Sequence, residues 1–186
     1  MKPFIIAALA ILWIAAGAQP TLPKVQGRNI VILDSGVKVI TGTQLSTSTQ
    51  SFAAKGGYKI STVYENNINN LYIDNGQKFI GSIVINVGNI APYVDVFEYN
   101  FLGIAPKIIV SYQAQGANGP TSYLEVYELL NKTATKIFRK ETSNNLTTIM
   151  RNVMTLQAKT QGALQSAWVY FANKFWLIEP YPKVDY

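Results

Sequence analysis

Tyr58, Ile60, Thr62 and Tyr64 alternate with Lys59, Ser61 and Val63. A repeat of two is the spacing of a pleated strand, and no helix gathers those positions on one side. The alternation returns at Phe79, Gly81, Ile83, Ile85 and Val87. Short β-branched or aromatic runs fill much of the remainder, at 29–33, 37–40, 71–73, 93–101, 107–113, 122–130, 136–139, 168–172 and 175–178. Asp34-Ser35-Gly36, Asp74-Asn75-Gly76 and Asn173-Lys174 punctuate these runs with residues that favour tight turns. They predict hairpins joining 29–33 to 37–40 and 168–172 to 175–178. Gln115–Pro120 reads as a loop, because two glycines and a proline interrupt regular pairing. One stretch carries a different period: Leu146, Ile149, Met150, Val153 and Met154 fall at i, i+3, i+4, i+7 and i+8. That spacing predicts a short helix near 146–156, capped by Ser143 and the two asparagines that follow. The expected fold is therefore all-β, a jelly-roll-like β-sandwich over 34–178 with one short helix, an extended 19–33 and an extended tail at 179–186.

Chemistry is constrained by what the chain lacks. Its 186 residues contain no cysteine, which removes disulfides, thiolate nucleophiles and zinc-thiolate sites. They contain no histidine, the usual general base and the commonest metal ligand. Ser35-Gly36-Val37-Lys38 has the serine–lysine spacing of penicillin-binding enzymes, but it crosses a turn rather than opening a helix. Glu125 and Glu128 lie three apart on a strand, as do Asp95 and Glu98, which sends each pair to opposite faces. No catalytic, cofactor or metal site is expected, and the chain reads as a protein without enzymatic activity. The net charge is +6, with Lys136, Arg139 and Lys140 the densest basic group. They read as a solvated face, suited to acidic cell-surface material rather than to nucleic acid.

Residues 1–18 read as an address. Met1-Lys2-Pro3 precedes an apolar run from Phe4 to Ala18 that falls short of the roughly 20 residues of a comfortable membrane span. The small residues Ala16-Gly17-Ala18 suit a signal peptidase, so cleavage is expected between Ala18 and Gln19, leaving no membrane anchor. The competing reading is a retained anchor. Secretion agrees with two N-glycosylation triplets, at Asn131-Lys132-Thr133 and Asn145-Leu146-Thr147.

The stretch Gly76-Gln77-Lys78-Phe79-Ile80-Gly81-Ser82-Ile83-Val84-Ile85-Asn86-Val87-Gly88 resembles part of the TasA/camelysin biofilm-fibre family: a turn glycine, an alternating strand and an Asn-x-Gly ending. The overall plan is similar to that of archaeal extracellular thread and bundling-pilus subunits. The resemblance implies a structural subunit of an extracellular, adhesive filament whose partners are other copies of itself. In such filaments an N-terminal strand complements the next subunit. Residues 19–33 are the expected donor, with Leu22, Val25, Ile30 and Ile32 as its apolar positions, and Pro20 and Pro23 favour an extended course. Pairing of 29–33 within its own sheet is the competing reading. The acceptor groove is expected between 79–87 and 107–113. The alternative function is a monomeric secreted module that binds polysaccharide or a surface protein, with Trp168 and Trp176 stacking on sugar rings.

Overall fold

The computed structural model describes residues 25–46, 50–66, 68–74, 81–100, 106–143, 145–158 and 164–178. In chain order the strands begin with β1 (Val25–Gln26), β2 (Ile30–Ile32), β3 (Val37–Gln44), β4 (Gln50–Ala53) and β5 (Lys59–Glu65). Next come β6 (Ile68–Asp74), β7 (Ile83–Gly88), β8 (Tyr93–Tyr99), β9 (Lys107–Gly116) and β10 (Gly119–Leu130). The series ends with β11 (Thr133–Glu141), β12 (Asn145–Met150), β13 (Val153–Ala158), β14 (Leu164–Phe171) and β15 (Lys174–Ile178).

The fold is all-β and sandwich-like, and it stacks three sheets. A central five-stranded sheet has the order β11-β10-β9-β8-β3. On one side lies a four-stranded meander, β4-β5-β6-β7; on the other lies a six-stranded sheet, β1-β2-β12-β13-β14-β15. All pairs are antiparallel except β2 with β12.

Two cores hold the layers together. Val94, Val96, Ile108 and Val110 of the central sheet pack against Tyr58, Ile60, Leu71, Ile73, Ile83 and Ile85 of the meander side. Phe97, Tyr99, Ile109, Leu124 and Val126, on the opposite face, pack against Ile30, Ile32, Ile149, Met154 and Leu156. The central strands are covered on both faces, so β8 and most of β9 are buried at successive positions, Asp95, Glu98, Lys107 and Ser111 included, while the outer strands alternate. In β7 the expected inward residues Ile83, Ile85 and Val87 are buried; Phe79 lies outside the described residues. In β5, Ile60 and Thr62 are buried together with the preceding Tyr58, but Tyr64 at the strand's end is exposed.

Three expectations are corrected. The helix near 146–156 is the β12–β13 hairpin, in which Met150 faces Val153 across Arg151-Asn152. Arg151 takes a positive φ of 54°, so the helical count breaks there, and the buried residues Thr147, Ile149, Met154 and Leu156 follow a period of two on either side. The β-branched threonines facing each other at Thr148↔Thr155 suit the pleated surface. Asp34-Ser35-Gly36 does not close a hairpin: β2 belongs to the six-stranded sheet and β3 to the central one. The turn is fixed by Asp34, which accepts from the Arg151 amide at 2.8 Å and from the Tyr99 hydroxyl. Gln115–Pro120 is not a loop either. Gly116 pairs with Gly119 around Ala117-Asn118, and Pro120 pairs with Gln115. The ladder with β11 begins only at Tyr123, so Pro120 needs no donor toward that side. The hairpin at the end is present, with its turn at Ala172-Asn173, both at positive φ.

The Asn86-Val87-Gly88 ending of β7 has a local physical reason. The Gly88 amide donates to Asn86 Oδ1 at 2.9 Å, and Gly88 takes a φ of +74°. A Cβ added there would lie 2.5 Å from Gln115 Cβ on the facing β9. Gly57 also has a positive φ, +81°, but meets nothing within 4 Å. Gly88→Ala is therefore expected to cost about 2–3 kcal/mol in a urea melt and Gly57→Ala only about 1 kcal/mol, since backbone strain is common to both and the close approach belongs to one.

Candidate assembly site

Ile30 and Ile32 are fully buried in the core between the central and six-stranded sheets, on a strand of only three residues. Burial of each isoleucine is worth about 1.5–3 kcal/mol. The strand lies parallel to β12 in the register Ile30↔Thr147, Val31↔Thr148 and Ile32↔Ile149. Backbone bonds fix both ends: the Thr147 amide donates to Asn29 O at 2.9 Å and the Leu33 amide to Ile149 O at 2.8 Å. Asn29 Nδ2 adds a buried bond of 3.0 Å to Ser122 Oγ on β10. Outside β2 the sheet ends at β1, which pairs through Val25↔Ile32 and Gln26↔Val31.

The link between β1 and β2 is closed by the Gly27 amide, which donates to Ile30 O at 2.8 Å, and is held against β8 by one carboxylate. Asp95 on β8 is buried and accepts the Arg28 amide at 2.9 Å. A Cβ on Gly27 would come within 2.4 Å of that carboxylate and one on Gly42 within 2.8 Å, so two chain-distant glycines leave its space. Arg28 lies over the Tyr93 ring at 5.3 Å and donates to Gln113 Oε1 at 3.0 Å. Burial raises the pKa of Asp95 above its ordinary value, opposed by the bond and charge of Arg28.

Of the expected donor positions, Ile30 and Ile32 thus occupy their own chain's sheet, Val25 belongs to β1, and Leu22 lies outside the described residues. Ala18, Gln19 and the segments 1–18 and 179–186 also lie outside them. The expected acceptor groove is not open: β9 is flanked by β8 and β10, and β7 packs against it from the facing sheet. Asn131 sits exposed at the tip of the β10–β11 hairpin, with φ of 50°. Asn145 is half-buried at the start of β12, and the Thr147 hydroxyl of its triplet is buried with no hydrogen-bond partner among the described residues. Asn131 is therefore the more exposed of the two triplet asparagines.

Sequence reasoning missed two buried polar clusters, because their members meet only across strands. Glu125 receives the Tyr112 hydroxyl at 3.0 Å and the Tyr127 hydroxyl, and pairs with Lys136 at 3.1 Å and Arg139 at 3.3 Å. Burial, then the adjacent carboxylate, pushes both tyrosines well above their ordinary pKa. On the opposite face Lys107, fully buried, pairs with Glu128 at 3.2 Å, and the Tyr170 hydroxyl lies 3.3 Å from the same oxygen. Burial and Glu128 raise Tyr170 to about 12. Each carboxylate gathers at least one cation and one phenol, which ties together strands distant in sequence. The basic group predicted as one solvated face is divided: Lys136 and Arg139 reach Glu125, while Lys140 lies over Trp168 at 5.9 Å. Lys38, of the serine–lysine spacing, pairs with Glu98 at 3.2 Å. Trp168 is half-buried against Phe138, and Trp176 is exposed beneath Lys174.

The raised pKa of Asp95 fixes a sign. Its carboxylic acid favours the folded chain below the unfolded pKa, and that contribution is lost as pH rises through the folded pKa. Asp95→Asn keeps an acceptor for the Arg28 amide and carries no charge. Urea melts across pH are expected to find wild type losing ground to Asp95→Asn as pH rises above the ordinary carboxylate range; a difference independent of pH would contradict this reading.

Comparison with protein-family models, with curated proteins and with solved structures finds no match to this chain.

Proposed function

We propose that the chain is a structural subunit of a secreted, extracellular filament, joined by exchange of its N-terminal strand. The observation that carries this reading is the burial of Ile30 and Ile32 on a three-residue strand running alongside the sequence-distant β12. Such a strand completes a core without belonging to the hairpin series that builds it. The same slot accepts the identical strand of a second copy with identical contacts, which makes exchange energetically balanced at the slot and driven by concentration. Leu33–Gly36 is the hinge across which β1 and β2 pass to the neighbour. The resemblance of Gly76–Gly88 to the biofilm-fibre family and the expected leader at 1–18 support the same destination, with Asn131 as the glycan acceptor.

The absence of cysteine makes the test clean. Asn29→Cys with Ser122→Cys brings two thiols to positions whose side chains now touch at 3.0 Å. After joining with a short bifunctional thiol reagent, native assemblies are expected to run as a ladder of covalent multimers on a denaturing gel. Assemblies that yield only internally linked monomers would sink the exchange, and a protein that forms no assemblies at any concentration would favour the monomeric binding module.

A further inference from the structure

Three hairpin turns meet at one end of the molecule. They join β10 to β11, β12 to β13 and β14 to β15, and each is two residues long: Asn131-Lys132, Arg151-Asn152 and Ala172-Asn173. Hydrogen bonds hold them side by side. The Tyr170 amide donates to Asn152 O at 2.8 Å, and Asn152 Nδ2 donates to Tyr170 O at 3.1 Å. The Tyr170 hydroxyl lies 3.3 Å from Glu128 Oε1, near the end of β10, and 3.5 Å from Asn173 Oδ1. The residue entering each turn is apolar: Leu130, Met150 and Phe171. An exposed cation lies in each turn or directly after it: Lys132, Arg151 and Lys174. Leu130 is 60% exposed and Phe171 69%, the two highest values for large apolar side chains among the described residues. Trp176, 47% exposed, stands beside Phe171, its indole donating to Phe171 O at 3.0 Å and Lys174 lying over its ring. No Asp or Glu occurs in the three turns or their flanking residues. Glu128 and Asp34, which lie behind them, are engaged by Lys107 and by the Arg151 amide. The turn at the other end of β10, Gly116-Ala117-Asn118-Gly119, carries neither a charge nor a large apolar side chain.

We infer that this end of the molecule docks on an anionic lipid surface. Three features select that partner. First, the charged side chains of the three turns are all cations, so the end complements the phosphates and carboxylates of anionic headgroups. Second, each cation lies within three residues of a protruding apolar side chain. Such a pair lets the apolar group enter the acyl boundary while the long cationic stem reaches back to the headgroups. A soluble polyanion gives Leu130 and Phe171 nothing to enter. Third, the contact is made by separate narrow tips rather than by a flat face. A fluid headgroup layer moulds around such tips, whereas a rigid protein would need a matching set of hollows. The inference does not rest on strand exchange, since β1 and β2 contribute no residue to the tips. A sugar on Asn131 would stand between this end and a bilayer, so the contact belongs to the chain with Asn131 unmodified.

Cosedimentation of the processed chain, without sugar on Asn131, with lipid vesicles tests it. Vesicles of phosphatidylcholine mixed with phosphatidylserine are expected to bind the chain, phosphatidylcholine alone far less, and added salt is expected to weaken binding. Lys132→Gln and Lys174→Gln are each expected to weaken binding about fivefold. Leu130→Ser and Phe171→Ser are each expected to weaken it about tenfold or more, since each removes the burial of one large apolar group. Lys140→Gln, which removes the same charge at the far end of β11, is expected to leave binding nearly unchanged. Circular dichroism and a cooperative melt establish that each variant folds. The proposal is overturned if the mixed vesicles bind no protein at low salt, or if Lys140→Gln weakens binding as much as the tip lysines do. It is equally overturned if the two serine variants bind like wild type while the lysine variants do not, which is the pattern of a site for a soluble polyanion.

Discussion

Burial of the central sheet on both faces governs the rest of the molecule. A strand with no wet side has nowhere to send a charged group except into a core, so each ionisable residue of β8, β9 and β10 must find partners inside. Glu98 meets Tyr58 and Lys38, Lys107 meets Glu128, and Glu125 gathers two tyrosines and two cations. Asp95 is satisfied by a backbone amide of the N-terminal segment. Withdrawal of the Arg28 amide would remove a donor from a buried carboxylate, which adds to the burial of Ile30 and Ile32 in keeping the segment docked.

The same layering gives the two outer sheets different characters. The meander covers one core and turns a polar face outward, with charged side chains set on β5 and β6. The six-stranded sheet covers the other core and turns outward a face of threonine, valine and aromatic groups. It is also the sheet that takes in β2, its single parallel strand, beside β12. Completion of a core by a short N-terminal strand and the scarcity of charge on the six-stranded sheet are separate physical features.

Much of this was legible in the residues. The period of two in 58–64 and 79–87 located β5 and β7, and the β-branched and aromatic residues at 93–101 and 107–113 marked β8 and β9, though not that both their faces are buried. What failed was local periodicity read across a turn. Leu146 to Met154 satisfies a helical count only because the two-residue turn at Arg151-Asn152 shifts the second strand's phase. Gln115–Pro120 failed for the opposite reason, since a proline beyond the reach of β11 leaves a hairpin intact. The sheet partnership of β2 was open because three isoleucine and valine residues fit any interior. The clusters at Glu125 and Glu128 depend on register between strands, which residue spacing does not encode. The lack of charge across β12, β13 and β14 was visible in the letters alone, but that it belongs to one sheet required knowing that these strands are neighbours.

The central claim is that the slot beside β12 is filled by a neighbour's strand in the assembled protein. Helical reconstruction by electron microscopy of native assemblies tests it most directly, because backbone density through Leu33–Gly36 identifies the chain that supplies Ile30 and Ile32. Density passing from one subunit's β3 into the next subunit's core is the predicted result. Density that returns each β2 to its own subunit, or a preparation of discrete single particles, would contradict the account.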